Sequence, residues 1–267
     1  MINHLSAYHK KIEKSFIKNY HKTKKSYSVE GIHKMRLSIK RLRAFLKILG
    51  NFDKQSGSKK FLKNINLLFK HSGELRDLQV QSALLEHYRN EAGADFDSYL
   101  DQINSKKKNA GKTLKKSFKK IEVHEIAKIG KNIEQSLSGF QHKNFNEEYS
   151  LLAEKKLTEI RDLIVAINDD SVLHLVRRRM KEILFMQEIV TSEENIRLLD
   201  DETLQFLSDM EIKLGEWHDS KVLLDNFLGF EHKGVSYRDV LDRIEKNKLQ
   251  RQEEIAEKLR LFFYLCQ

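Results

Sequence analysis

A chain of 267 residues with 49 Lys/Arg against 39 Asp/Glu carries a formal charge of +10, has no proline, and holds 11 glycines and one cysteine. With no second thiol for Cys266, an intramolecular disulfide framework is excluded and a reducing compartment is expected. No stretch approaches the ~18 consecutive apolar residues of a membrane span, and the opening MINHLSAYHKKIEKSF alternates charged with apolar residues, so the expected location is the cytoplasm.

Lys, Glu, Leu and Ile dominate and glycine is scarce, so most residues favour helix and few interrupt it. The expected fold class is all-α. Breaks are expected at Ser26 to Val29, Asp53 to Ser58, Gly139 to Asn146, Asn168 to Ser171 and Gly229 to Ser236, with GFQHKNFN (139–146) as the candidate linker. Between them, apolar residues recur at helical spacing, as in Ile39, Leu42, Leu46 and Leu49, and again in Leu199, Leu204, Leu207, Met210 and Leu214. Strand-like alternation is not evident.

In the first of these segments, His33, Arg36, Lys40, Arg43 and Lys47 follow 3,4,3,4 spacing. At about 100° per residue they form one ribbon of charge roughly 80° wide and about 20 Å long. Met35, Ile39, Leu42, Leu46 and Leu49 lie on another face and are expected to pack into the core. Like charges at these spacings repel by a few tenths of a kcal/mol per pair. Regularly spaced phosphates would relieve that repulsion: Arg offers a planar fork of donors, Lys a point charge, and His a donor whose protonation a phosphate favours.

Further along, Lys106, Lys107, Lys108, Lys112, Lys115, Lys116, Lys119 and Lys120 are interrupted by Leu114, Phe118 and Ile121, which reads as a solvated amphipathic helix. Trp217 and the phenylalanines fall at apolar helical positions and read as core.

Self-comparison exposes a repeat. His33-x-x-Arg36-x-x-x-Lys40 recurs as His174-x-x-Arg177-x-x-x-Lys181, and Gly73-Glu74-x-x-Asp77-x-x-Val80 recurs as Gly215-Glu216-x-x-Asp219-x-x-Val222. The same order in both places points to a duplication. Each copy is expected to be a bundle of about four helices, residues 1–141 and residues 142–267. Charge divides along the same line: 30 Lys/Arg against 13 Asp/Glu give +17 in the first part, and 19 against 26 give −7 in the second. A polyanion should therefore lean on the first half.

Catalytic and metal constellations fit poorly. Glu30-x-x-His33 supplies one half of a dimetal motif, but its duplicate reads Ser171-x-x-His174, so no metal site is expected. Gly111-Lys112-Thr113 resembles the end of a phosphate-binding loop inside a helical pattern, with Lys106 where a glycine belongs. Asp77 and Asp219 each follow a glycine break and precede an apolar run, which reads as the start of a helix and not as a catalytic acid.

EGIHKMRLSIKRLRAFLKIL and SVLHLVRRRMKEILFMQEIV, each followed by Gly-Glu-x-x-Asp, resemble the two halves of a CHAD domain, the conserved histidine α-helical domain. The resemblance covers nearly the whole chain. It implies two pseudo-symmetric four-helix bundles with a basic channel between them, and binding of inorganic polyphosphate. His33, Arg36, Lys40 and Arg43 match the first motif, Arg76 its downstream Arg-Asp, and His174, Arg177 and Lys181 the second; Lys47 and Arg178 extend the two cationic sets. Second copies in the family usually continue with Lys-Arg-x-Arg, where this chain has Lys181, Glu182 and Leu184. His218 replaces the arginine expected beside Asp219. The strand motif of the triphosphatase domain fused to some members is absent; the nearest string, Asp209-Met-Glu211-Ile-Lys213, lies in a helical pattern.

The expected activity is therefore polyphosphate binding without catalysis and without a cofactor. Nucleic-acid binding through the phosphate backbone is the main alternative. An accessory or scaffold role in polyphosphate metabolism or at storage granules is the other.

Overall fold

The structure, a computed structural model, describes residues 2–52, 59–92, 97–121, 131, 135, 145–190, 199–229 and 235–265. Among them are eight α-helices: α1 (Ile2–Ser26), α2 (Val29–Phe52), α3 (Lys59–Ala92), α4 (Asp97–Phe118), α5 (Phe145–Ile164), α6 (Asp170–Val190), α7 (Asp201–Leu228) and α8 (Val235–Arg260), the last followed by a π turn at Leu261–Leu265. No strand occurs among the described residues. The all-α expectation holds, and no helix is long and apolar enough to cross a membrane.

Local chemistry accounts for the breaks. The Tyr27 amide donates to the Thr23 carbonyl at 2.9 Å while Tyr27 takes φ 53, a left-handed helix ending usually left to glycine. Its ring edge meets Phe118 at 5.9 Å, and that contact helps offset the backbone strain. One residue on, the Ser28 hydroxyl accepts from the Gly31 amide at 3.1 Å and so caps α2. A Cβ on Gly31 would lie 2.9 Å from that hydroxyl. Asp169 caps α6 by accepting from the Ser171 amide at 2.7 Å, and Asp200 caps α7 by accepting from Thr203.

These positions agree with the expected breaks near residues 27 and 168, and Gly229 ends α7 as expected. The expected break at 53–58 and the linker residues 139–144 lie outside the described residues, as do residues 230–234 and Cys266. Phe145 and Asn146, counted with the linker in the sequence, open α5.

The chain forms two compact units. Unit 1 comprises Met1–Gln79, Gln102–Phe145 and Glu188–Ile196; unit 2 comprises Val80–Asp101, Asn146–Gln187 and Arg197–Gln267. The repeat, with its division between residues 141 and 142, and the compact units are thus different partitions of the chain. At 34 residues, α3 is about 50 Å long, more than a small domain is wide, and it contributes to both.

In unit 1, Phe16, Ile32, Met35, Ile39 and Phe45 are fully buried, so the apolar face of α2 packs as its spacing requires. The Tyr20 hydroxyl donates to the Phe118 carbonyl at 2.8 Å, tying α1 to the end of α4. Leu114, Phe118 and Ile121 are buried while most lysines between Lys106 and Lys120 are exposed, the arrangement expected of an amphipathic helix. In unit 2, Trp217 sits in a core with Leu173, Val176, Met180, Leu214 and Leu259.

Candidate functional site

Burying Met35, Ile39 and Leu42 fixes the rotation of α2, and with it the direction of the cationic ribbon. His33, Arg43 and Lys47 are exposed, and Arg36 and Lys40 are half-buried. The ribbon side of α2 meets α3 at Phe69, Ser72 and Gly73. Arg36 Nη1 donates to the Phe69 carbonyl at 2.6 Å, and the guanidinium carbon stands 4.3 Å from the centre of the Phe69 ring. Arg43 lies over the same ring at 5.0 Å. One phenylalanine therefore supports two ribbon arginines through cation–π contact.

This close approach explains Gly73. A Cβ there would fall 2.7 Å from Arg36 Nη1, so an added methyl would make the end of the Arg36 side chain shift. The glycine admits this contact, and its reading as a break before a helix start at Asp77 is corrected: both residues lie inside α3. The Asp77 carboxylate acts electrostatically on Arg36. Burial lowers the Arg36 pKa, Asp77 opposes that shift, and the charge of Arg76 adds to it.

Unit 2 repeats the geometry in a looser form. Arg177 of α6 approaches Gly215 of α7, but the nearest guanidinium nitrogen is 3.9 Å from the position a Cβ would take. Gly215 and Asp219 are again interior to a helix, so the helix-start reading of Asp219 is corrected for the same reason.

The largest departure is one turn earlier. Phe69 stands four residues before Gly73, and the residue four before Gly215 is Glu211, whose carboxylate takes Lys181 Nζ at 2.6 Å. The first copy sets an uncharged ring against Arg36 and Arg43, whereas at the corresponding place the second sets a carboxylate against Lys181. Burial lowers the Lys181 pKa, and Arg177 adds to this, against the hydrogen bond and charge of Glu211.

Glu182 deepens the contrast. It accepts from Lys156 and from Arg179 Nη1 at 3.3 Å, and Arg178 Nε is 3.8 Å away. Arg178 lies about 40° from His174 around α6, at the edge of the face that also holds Arg177 and Lys181, and its guanidinium turns toward Glu182. Leu184, in the place of Arg43, packs on the unit 2 core. Glu188, in the place of Lys47, accepts from Arg41 Nε at 2.9 Å within unit 1.

His174 is half-buried, edge-on to Trp217 at 5.0 Å and to His218 at 5.1 Å. Burial lowers its pKa first, with His218, Lys221 and Arg177 adding to the shift and Asp170 opposing it. Its imidazole is thereby biased toward the neutral form. Glu30, the carboxylate of the possible dimetal motif, takes Lys34 at 2.6 Å and Lys22 at 3.4 Å. Among the described residues no three His, Cys, Asp or Glu side chains gather as metal ligands would.

Spacing alone does not assign Phe69 or Glu211 to the site, and Glu211 enters the sequence comparison only within the string Asp209-Met-Glu211-Ile-Lys213. A signal was present: each stands one helical turn before the glycine that a motif arginine covers.

Over residues 14–228 the chain matches the sequence pattern of the family described as the CHAD domain. No curated protein matches it. Among solved structures it is similar to the CHAD domain from the plant Ricinus communis, with TM-score 0.73 and 14% identity over 99% of this chain and 91% of that one. It is also similar to PptA from Streptomyces chartreusis, with TM-score 0.69 and 14% identity over 97% of this chain and 98% of that one. At such identity these two likenesses bear on the fold.

The two glycines should respond oppositely to alanine. Alanine in a helix interior gains about 0.5–1 kcal/mol over glycine, and Gly215→Ala should show that gain because the new methyl meets only an ordinary contact. Gly73→Ala displaces Arg36 and weakens a charged hydrogen bond of about 1.5–3 kcal/mol, so it should lower stability in urea denaturation. In an Arg36→Ala background the same change should become stabilising. Equal gains at both glycines would refute the clamp.

Proposed function

Because the chain belongs to the CHAD domain family, which is associated with polyphosphate binding, we propose that it binds inorganic polyphosphate along the α2 ribbon without turning it over. The observation that carries this reading is the identity of the residue beneath the ribbon. Arg36 and Arg43 rest on Phe69, which holds their positions and leaves their charge available. In the second copy Lys181, which matches Lys40, is held by the Glu211 carboxylate.

Binding follows from elementary electrostatics. Arg43 keeps one face of its guanidinium on the ring and presents N–H edges that suit phosphate oxygens. Half-buried Lys40 and exposed Lys47 and His33 extend the same line of charge. Pre-positioned side chains lose less freedom when the ligand arrives. Counterions released from the polyanion add to affinity and make it fall as salt rises. His174, Arg177 and Lys181 form a weaker auxiliary set in this reading, and Arg76 reinforces the field around Arg36.

Changing Lys40 and Arg43 together to Glu should abolish retardation of the protein by polyphosphate in a low-salt gel while far-ultraviolet circular dichroism stays unchanged; undiminished retardation removes this site. Duplex DNA at equal phosphate concentration should compete poorly. Effective competition would favour a general phosphodiester binder. Phosphate release with Mg²⁺ present should stay at background.

Glu211→Gln should shift affinity and stability in opposite directions. Freed from its carboxylate, Lys181 adds charge to the auxiliary set, so polyphosphate affinity should rise several-fold in titration. The fold loses the partner of a half-buried ammonium, and thermal stability should drop.

His174 makes the auxiliary set dependent on pH. Its folded-state pKa lies below the unfolded 6.5, so its contribution to stability is present above about pH 6.5 and is lost as pH falls through the folded value. A bound phosphate would favour the imidazolium. Polyphosphate affinity should therefore rise from pH 7.5 toward pH 5.5 more steeply in the native protein than in His174→Gln, with equal slopes excluding His174 from the site.

A further inference from the structure

Unit 1 carries a second field of positive charge that the α2 ribbon does not use. On α1, Lys10, Lys11, Lys14, Lys18, Lys22 and Lys25 are exposed, and Glu13 is the single carboxylate in the helix. On α4 and just beyond it, Lys108, Lys112, Lys115, Lys116, Lys119 and Lys120 are exposed, and no Asp or Glu follows Asp101 before residue 122. The two helices meet where the Tyr20 ring stands edge-on to Phe118 at 5.0 Å.

Faces that serve solubility mix both signs, since like charges at helical spacing are destabilising. Here one sign prevails. Among the described residues, Lys14, Lys18, Lys25, Lys112, Lys115 and Lys119 have no carboxylate partner.

Residue type narrows the ligand. Neither α1 nor α4 contains an arginine, so the field lacks the planar fork that grips a phosphate and offers mobile, hydrated point charges instead. Neither helix exposes a large apolar side chain among its described residues, as insertion into a lipid surface or stacking on single-stranded bases would require. Loosely held, closely spaced phosphates meet these conditions.

Position decides how the field relates to the ribbon. Helix α1 packs on α2 through Ser38, which accepts from Asn19 Nδ2 at 3.0 Å, and through Phe45, whose ring is 5.7 Å from that of Tyr8. Ser38 and Phe45 each come two residues after a ribbon arginine, about 200° around the helix. Thus α1 covers the side of α2 opposite the ribbon. A short rigid anion touches one of the two surfaces, whereas a flexible chain passes around the unit and touches both.

We infer that the α1 and α4 lysines form a second, loosely binding track for the outlying stretch of a long polyphosphate chain already held by the α2 ribbon, so that unit 1 selects long chains over short ones. The inference rests on the proposed function. Once the ribbon holds one stretch, contact with the lysines is intramolecular, and affinity rises without any tighter grip at either place.

The test uses the full chain and a variant in which Lys14, Lys18, Lys25, Lys112, Lys115 and Lys119 are changed to Gln, which preserves helix propensity. Each is titrated with a polyphosphate no longer than the ribbon, about 20 Å, and with one many times longer, at equal phosphate concentration. The native protein should prefer the long chain by roughly tenfold or more, and the variant should lose that preference while binding the short chain unchanged. A variant carrying only Lys112→Gln, Lys115→Gln and Lys119→Gln should lose part of the preference, with circular dichroism verifying the fold of both. Undiminished preference in the six-lysine variant overturns the track, as does loss of duplex DNA binding with polyphosphate binding intact. If the native protein binds the short chain but shows no length preference, the track alone fails; if it binds neither chain, the proposed function fails and the track with it.

Discussion

The Arg36 guanidinium, pressed between the Phe69 ring and the backbone of α3 at Gly73, is the constraint on which the ribbon depends. A half-buried cation loses hydration, and the fold returns part of that loss through a carbonyl, a ring face and the charge of Asp77. Those partners lie on α3, and the guanidinium rests against it at a residue with no side chain. The separation and rotation of α2 and α3 are therefore linked to the presence of one arginine and one glycine. Arg43, seated on the same ring about two helical turns along, shares that support.

Duplication preserved the arginine and glycine positions while altering what lies beneath the cations. An aromatic ring stabilises positive charge without cancelling it, whereas a carboxylate does both. The ring at Phe69 thus supports Arg36 and Arg43, while the carboxylate at its counterpart Glu211 pairs with Lys181, and both stand in the interior of a helix. Glu182 and Glu188 extend the change, one collecting three basic side chains of unit 2 and the other serving Arg41 of unit 1. The excess of acid in the second half of the sequence is in part structural, since these carboxylates are engaged in ion pairs.

Much of this was legible in the residues. Absence of proline and the apolar spacing of Met35, Ile39 and Leu42 gave helix and burial correctly, because a regular pattern admits one amphipathic solution. The repeat located both motif arginines. What stayed hidden was pairing over long separations: nothing in the chain order says that Lys181 meets Glu211 or that Arg41 meets Glu188. Gly73 misled for a different reason. A glycine that ends a helix and one that admits a neighbour are the same letter, and only the partner's position tells them apart. Phe69 read as core because its spacing is apolar, although one face of its ring supports charge.

The two partitions of the chain carry a consequence for dissection. Residues 80–101 belong to the first sequence copy yet fall in unit 2, and Glu188 belongs to the second copy yet holds Arg41 in unit 1. A cut between residues 141 and 142 therefore severs both compact units at once, and neither sequence copy supplies a whole one.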